Sequence, residues 1–237
     1  QAVHDKSLRQ ALNYGVDVQT IIDSLMDGQT QRNGTFANAP NDSVGPYPYD
    51  PDKARDLIKE AGLEDSDGDG FVEGADGNRL ELTLQTPKGT WVKDFEVAQA
   101  VAADLKEIGV FVDVESMEFG GYIGMLAKKE ATGELWMQAA MGGYGCQADL
   151  SDFANQTQWQ PGGWENEEFD EMFVELTQTV DADRRQELCH DLQDIMYEEA
   201  PLIFLYNQAD PYAMSNRIEW TPYPHGRNNF STLKWAE

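Results

Sequence analysis

The chain has 237 residues, of which 41% are hydrophobic and 11% aromatic, so it can build a folded core and is not a disordered chain. It contains no run of 18 or more apolar residues, which excludes a membrane-spanning helix. Its 43 acidic and 17 basic residues give a net charge of −26, which argues against nucleic acid as a partner and favours a solubilising or salt-adapted surface.

The N-terminal part of the chain is predicted to consist of helices on both sides of one loop. The first 28 residues have helical spacing, with Asp5 as an N-cap and Asp17 restarting the helix after a glycine. Residues 29–49 are rich in Asn, Gly and Pro and are predicted as a loop. A clear helix follows, because Asp50 caps it, a proline occupies its first turn and Gly62 ends it.

Strands and helices then alternate, which predicts an α/β layer with some parallel pairing. Period-two segments indicate strands and helical spacing indicates the segments between them. The predicted order is strand 80–86, helix 94–109, strand 110–118, helix 121–133 and strand 135–143.

The C-terminal part has a different character. Residues 142–166 are rich in Gly, Gln and Trp without any period, and a loop of this length inside a compact domain is typically functional. Helices are predicted at 167–179 and 181–200, and a buried strand at 202–208. The tail, 209–237, is predicted to pack on another part of the protein.

Residues 65–76 have the spacing of a calcium-binding loop of the EF-hand type, with glycine at its sixth position. An aspartate replaces the usual closing glutamate, which predicts weak binding near ~10⁻⁴ M. The alternative is an acidic turn without an ion. The predicted Ca²⁺ ligands are Asp65, Asp67, Asp69, the carbonyl of Phe71, Glu73 and Asp76.

The setting of this loop favours a structural role for the ion. A sensor needs a helix on each side of the loop, whereas here a helix precedes it and a strand follows it. No second loop of this kind occurs in the sequence to pair with it. We therefore expect a clip between a helix end and a strand start rather than a sensor.

Catalytic motifs are sparse, so we expect a protein that is not an enzyme. His4, His190 and His225 lie near neither a GxSxG-like nucleophile nor a reactive cysteine. Cys146 and Cys189 form no CxxC motif, which disfavours a zinc site, and whether they are bridged remains open. A calcium-dependent hydrolase and a calcium-responsive interaction module are the alternatives.

The aromatic loop is the candidate ligand site, because aromatic faces beside amide and carboxylate groups suit a small polar ligand. The alternative is that these rings pack beneath the loop as a satellite core. The predicted ligand-binding residues are Tyr144, Cys146, Asp149, Asp152, Trp159 and Trp164, joined by Trp136 and Tyr122 from neighbouring elements.

Four segments in order resemble the extracellular solute-binding proteins of ABC importers, of the dipeptide, oligopeptide and nickel type called family five. They are "DKSLRQALNYGVDVQTII", "YPYDPDKARDLIKEAG", "LTLQTPKG…EVAQAVAADLKEIGVFVDV" and "APLIFLYNQ". The similarity runs from about residue 5 to 235. An Asp-rich insertion after the Tyr-Asp-Pro helix also occurs in many members of the family.

The resemblance implies a periplasmic or cell-surface binder with two lobes and a type II periplasmic-binding-protein-like fold, which hands its ligand to a membrane permease. Family chains are about twice this length, so residues 1–208 would be the C-terminal lobe, a mixed sheet flanked by helices. Residues 209–237 would return to the missing lobe. A chain cut from a longer protein would also explain the start without Met or a signal segment. We expect a monomer.

The resemblance also raises a question about the ligand. In peptide-binding members an aspartate in the loop matching 142–153 holds the peptide's ammonium group, and that position falls on Cys146 here. Unless Asp149 or Asp152 takes the place of that aspartate, the residue that binds the amine is missing. An oligosaccharide is then the alternative ligand to a peptide. The loop contains no histidine, which speaks against nickel.

Overall fold

A computed structural model of the chain describes residues 2–36, 44–128, 134–139, 145–154, 164–209, 212–222 and 230–236. The helices are α1 (Lys6–Gly15), α2 (Val18–Leu25), α3 (Pro51–Glu60), α4 (Asp94–Glu107), α5 (Phe119–Ala127), α6 (Cys146–Leu150), α7 (Glu167–Gln178) and α8 (Ala182–Glu199). The strands are β1 (Gln31–Arg32), β2 (Glu81–Pro87), β3 (Phe111–Met117), β4 (Leu135–Trp136), β5 (Tyr206–Asn207), β6 (Ile218–Glu219) and β7 (Lys234–Trp235).

Side-chain caps fix the starts of the helices. Asp5, Asp17 and Asp50 accept hydrogen bonds from backbone N–H groups in the first turns of α1, α2 and α3. Asn166 and Asp181 do the same for α7 and α8. Such caps satisfy N–H groups that have no partner inside the helix.

The central sheet has three parallel strands in the order β3-β2-β4. Helix α4 connects β2 to β3 and packs on both strands, as a parallel crossover requires. The other described pairings, β1 with β5 and β6 with β7, are antiparallel. The predicted α/β class, with a sheet flanked by helices, is confirmed.

Two clusters of buried side chains hold the chain together. One joins α1–α4 to β2 through residues such as Leu12, Leu84 and Val101. The other joins α6, α7 and α8 through residues such as Leu150, and includes Phe204 from the segment after α8. Tyr14 packs against both clusters, so α1 lies at their junction.

Several segments differ from the sequence-based prediction, among them the predicted loop at 29–49, which contains β1, and the predicted helix 121–133, which is described as α5. The predicted loop at 142–166 contains the short helix α6, which at five residues is too short to show a helical period. The predicted strand 202–208 forms a ladder only at β5, because its described partner β1 is itself two residues long. The predicted strand 135–143 is shortened to β4, and residues 140–143 lie outside the described part.

Among the described residues, no helix combines the length and apolar character needed to cross a membrane.

Candidate ligand-binding site

A cavity of about 600 Å³, here called the cleft, opens between the two buried clusters. Leu12, Leu84 and Val101 line it from one cluster, and Phe153 and Phe204 from the other. Residues that follow the carboxyl ends of β2 and β4 also line it, among them Trp91 and Gln138. Open parallel sheets bind their ligands at this edge, and the volume suits a small molecule or a short peptide.

Trp91 reaches the cleft on a loop that one carboxylate organises. Asp94 is buried and accepts hydrogen bonds from the N–H groups of Gly89 at 2.8 Å, Thr90 at 2.8 Å and Trp91 at 3.1 Å. Burial alone would raise the pKa of Asp94, but these bonds to the charged form hold it below its usual value. The fixed loop sets Trp91 edge-on against Tyr122, with ring centroids 6.3 Å apart.

Trp136 lines the cleft from the edge strand β4, which pairs with β2 at Gln85. Next to the strand, Glu134 accepts a hydrogen bond from the N–H of Thr83 at 2.9 Å. After the strand, the N–H of Met137 donates to the carbonyl of Gln85 at 2.8 Å. Backbone pairing on both sides therefore holds Trp136 at the wall of the cleft, where the sequence predicted a ligand contact.

Asp152 and Trp164 both line the cleft, as predicted for ligand contacts. Burial raises the pKa of Asp152, and the nearby charge of Asp149 raises it further. The ring of Trp164 packs edge-on against Phe169 with centroids 5.3 Å apart. Its indole nitrogen is buried and has no hydrogen-bond acceptor among the described residues. Asp149 itself is buried in α6 and is not among the residues that line the cleft.

Tyr122, predicted as a ligand contact, is buried and is not among the residues that line the cleft, so its contact with a ligand stays a prediction. Its side chain is 0% exposed, and its hydroxyl donates to the carbonyl of Met137. Burial raises its pKa, so it remains a neutral donor. Tyr122 contacts both Trp91 and the segment after β4 from the core side, because it lies on the buried face of α5.

Cys146 forms a disulfide with Cys189, which answers the question that the sequence left open. Cys189 lies buried on α8, and the bridge ties α6 to this helix. Both cysteines line a second cavity of about 830 Å³ and not the cleft. Cys146 is therefore a structural residue here. Tyr144 and Trp159, also predicted as ligand contacts, lie outside the described residues.

The predicted calcium loop brings four carboxylates together. One oxygen from each of Asp65, Asp67, Asp69 and Glu73 lies within 4.8 Å of the others. Calcium binds carboxylate oxygens at 2.3–2.6 Å, so ligands on opposite sides of the ion stand about 5 Å apart, and the group fits. The N–H groups of Gly68 and Gly70 donate to Asp65, which curls the loop.

Asp76, predicted as the closing ligand, is not among these four carboxylates, and its role as a ligand stays a prediction. Its carboxylate accepts hydrogen bonds from the backbone and side chain of Asn78, and these bonds lower its pKa. Glu73 completes the group of four, and the N–H and hydroxyl of Ser66 fix it at 2.7 Å. Nothing in the structure places the carbonyl of Phe71 in the group, so that ligand stays a prediction.

Sequence reasoning missed several residues that line the cleft, namely Phe36, Trp91, Glu134 and Phe153. One signal was available for Trp91, which follows a predicted strand at the edge where parallel sheets bind ligands. The others come from separate segments, and only the fold brings them together.

The fold and the cleft together define an α/β unit with a cavity at the carboxyl edge of its parallel sheet. Residues 1–166 match the family model described as "Bacterial extracellular solute-binding proteins, family 5 Middle". The chain therefore belongs to the family 5 extracellular solute-binding proteins.

Individual proteins similar to this chain are also solute-binding proteins. The oligopeptide-binding protein AppA of Bacillus subtilis is 25% identical over 98% of this chain and 44% of its own length. The structure of AppA from Bacillus subtilis in complex with a nonapeptide superposes with a TM-score of 0.79 at 22% identity, over 99% of this chain and 48% of that one. A periplasmic oligopeptide-binding protein from Thermotoga maritima with bound mannohexaose superposes with a TM-score of 0.74 at 20% sequence identity. That match covers 86% of this chain and 41% of the other. The chain thus spans about half or less of the length of these proteins.

Proposed function

We propose that this chain forms the C-terminal lobe of an extracytoplasmic solute-binding protein that serves an ABC importer. It captures a peptide or another small polar solute in the cleft and delivers it to a membrane permease. The observation that carries the proposal is the cleft itself, lined by Trp91, Trp136 and Trp164 at the carboxyl edge of a parallel sheet in a family 5 chain. Residues 209–237 would pack on the other lobe.

The test is a ligand screen on the full-length protein. Peptides of two to nine residues and neutral oligosaccharides are added separately, and the melting temperature is followed. A ligand that binds the folded protein raises this temperature by mass action. We expect a rise with one of the two classes. The proposal fails if neither class raises the melting temperature and calorimetry detects no binding.

An oligosaccharide is the second candidate. Three indole rings in one cleft suit the apolar faces of sugars, and the Thermotoga maritima relative has been solved with mannohexaose. The amide of Gln138 at the cleft wall suits sugar hydroxyls equally well. The same screen separates the two candidates, because each predicts a response from its own ligand class.

The protein is proposed to bind its ligand without turning it over. A calcium-dependent hydrolase is the competing class, and it predicts cleavage of a peptide or glycan that disappears on addition of EDTA. Incubation of the full-length protein with the bound ligand, followed by mass spectrometry of that ligand, decides between the two. We expect the ligand to be recovered intact.

We further propose that Asp65, Asp67, Asp69 and Glu73 bind Ca²⁺ as a structural clip. Their convergence within 4.8 Å supports it, as does the position of the loop. The loop joins the end of α3 to the start of β2, and the N–H of Val72 donates to the carbonyl of Gly109 at 2.9 Å. An ion here would fix α3 and β2 to the turn before β3.

Calcium should therefore raise the melting temperature without a large change of conformation. With a Kd near ~10⁻⁴ M, ~10 mM calcium stabilises by about 2.7 kcal/mol, or roughly 5–10 °C for a chain of this size. Asp67→Ala should abolish the gain, whereas Asp76→Ala is the matched control and should keep it. No shift in the wild type would refute the clip, and a large change in circular dichroism would favour a calcium-responsive module.

A further inference from the structure

The wall of the cleft is negatively charged. Among the described residues, five carboxylates line it, those of Asp94, Glu134, Asp152, Glu165 and Glu199. The described basic side chains of Lys and Arg that line it are Lys6 and Arg9, so these carboxylates exceed them by three. Both basic groups are paired with Glu199, at 3.1 and 3.2 Å.

Two of the other four carboxylates have a structural role. Asp94 and Glu134 accept hydrogen bonds from backbone N–H groups and serve to hold Trp91 and Trp136 in place. Asp152 and Glu165 line the cleft as well, and burial raises the pKa of Asp152, which the charge of Asp149 raises further. Two negative charges at close range repel each other, and a cation beside them would relieve that repulsion.

The aromatic rings of the cleft point to the same kind of ligand. Trp91, Trp136 and Trp164 line the cleft together with Asp152 and Glu165. The face of an indole ring attracts a cation, and its area also covers the apolar stem that carries a protonated amine or a guanidinium. An anionic ligand would instead meet a wall of its own charge.

We propose that the cleft selects ligands that carry a protonated amine or guanidinium group beyond the ends of the molecule, with Asp152 and Glu165 as the charges that receive it. The inference rests on the proposed solute-binding function and names the ligand class within it. The group can belong to a basic peptide side chain or to an amino sugar, and the chemistry at the cleft wall is the same for both.

The test uses matched probes and calorimetry on the full-length protein. Three tripeptides, Ala-Lys-Ala, Ala-Gln-Ala and Ala-Glu-Ala, share the same termini and differ only in the charge of the central side chain. Cellobiose and the β-1,4-linked glucosamine dimer, in which an amine replaces the C2 hydroxyl of each ring, form the sugar pair. A charge-assisted bond corresponds to about a tenfold to hundredfold change in affinity. We expect the lysine peptide or the glucosamine dimer to bind more tightly than its neutral counterpart by a factor in this range.

Variants separate the wall of the cleft from the general negative charge of the protein. Asp152→Asn and Glu165→Gln should each reduce the ratio of the affinity for the cationic probe to the affinity for its neutral counterpart. Glu60→Gln removes the same charge from an exposed position at the end of α3 that does not line the cleft, and it should leave the preference intact. Circular dichroism spectra and melting temperatures verify that the variants are folded.

Each outcome decides a separate point. Equal affinity for cationic and neutral probes, or preference for Ala-Glu-Ala, overturns the inference and leaves the solute-binding function standing. An equal loss of preference in Glu60→Gln also overturns it, because the effect would then belong to the whole surface. Binding of none of the five probes, while another peptide or sugar binds in the screen, overturns the inference alone. Failure of every probe and of the whole screen overturns the solute-binding function as well.

Discussion

At the scale of single residues, Asp94 connects stability to the shape of the cleft. Its carboxylate receives the N–H groups of the loop that carries Trp91, and it is 2% exposed. Because its pKa is lowered in the folded state, its stabilising effect is complete above the ordinary aspartate pKa near ~3.9. That effect is lost as the pH falls through the lowered value.

Asp94→Ala should leave these N–H groups without their acceptor. Losing a charged, buried hydrogen-bond partner costs about 3 kcal/mol, so the melting temperature at pH 7 should fall by roughly 6–12 °C. Ligand affinity should fall as well, because the loop no longer holds Trp91. Glu96→Ala removes an exposed carboxylate from the same first turn of α4 and serves as the control. Similar melting temperatures for the two variants would contradict this account.

The pKa of Asp104 is shifted in the opposite direction to that of Asp94. Burial raises its pKa, the N–H of Asp17 opposes the shift, and the charges of Asp17 and Glu107 add to it. Since the folded state binds this proton more tightly, the ionised carboxylate weakens the fold, and stability falls as the pH rises from about 3.9 through the raised pKa.

Asp104→Asn should therefore raise the melting temperature by a few degrees at pH 7. The amide oxygen still accepts the N–H of Asp17, which donates to Asp104 at 2.9 Å in the wild type. The gain should shrink as the pH is lowered toward 4, where the wild-type carboxyl becomes neutral. Melting curves across this range verify it, and a gain that grows at low pH would contradict the assignment.

At the scale of elements, the sequence predicted helices better than strands. Caps are local, so Asp5, Asp17 and Asp50 could be recognised from their neighbours alone, and the structure shows each of them capping a helix. The length of a strand depends on its partner. The apolar run at 202–208 pairs only at Tyr206–Asn207, while Phe204 in the same run packs into a buried cluster.

The candidate site could be predicted only in part for the same reason. Trp136, Asp152 and Trp164 were recognised as an aromatic and acidic group, and the structure brings them to one cleft. Glu134 could not be assigned, because its place depends on how β2 and β4 meet, whereas the position of Trp91 after a predicted strand was a signal that could have been used. The burial of Tyr122 likewise follows from packing and not from its own sequence neighbourhood.

The disulfide ties α6, which lies next to Asp152, to the longer helix α8. It joins residues 43 apart, and a bridge of that span stabilises by about 2–4 kcal/mol. Adding a reductant should lower the melting temperature of the wild type by roughly 5–15 °C and weaken ligand binding. The Cys146→Ser/Cys189→Ser variant should already melt at the lower temperature. A further fall of its melting temperature with reductant would show that the reductant acts elsewhere.

At the scale of the whole molecule, the net charge of −26 makes stability depend on salt. Like charges repel in the compact state, and the Debye length falls from about 10 Å at 0.1 M salt to about 3 Å at 1 M. The melting temperature should rise with NaCl, with most of the gain reached by ~1 M. A flat or falling curve would contradict a self-repelling surface, and a rise that continues linearly would indicate salting-out of apolar groups.

The C-terminal segment has an unusually apolar surface. Large apolar side chains are exposed in the C-terminal segment, with Phe230 at 61% and Trp235 at 70%. The chain spans about half the length of the relatives that it matches, and in our proposal this segment packs on the other lobe. The lobe alone should therefore bind ligand feebly, and calorimetry on this chain giving micromolar or tighter affinity would contradict the proposal.

The central claim is that the cleft between the two buried clusters captures the solute. The most direct measurement is a calorimetric titration of the ligand found in the screen into the full-length wild type, Trp136→Ala and Trp136→Phe. Losing an aromatic face from the wall should weaken binding by about tenfold or more in the alanine variant, and the phenylalanine ring should restore part of it. Unchanged affinity in a correctly folded Trp136→Ala protein would place the ligand elsewhere.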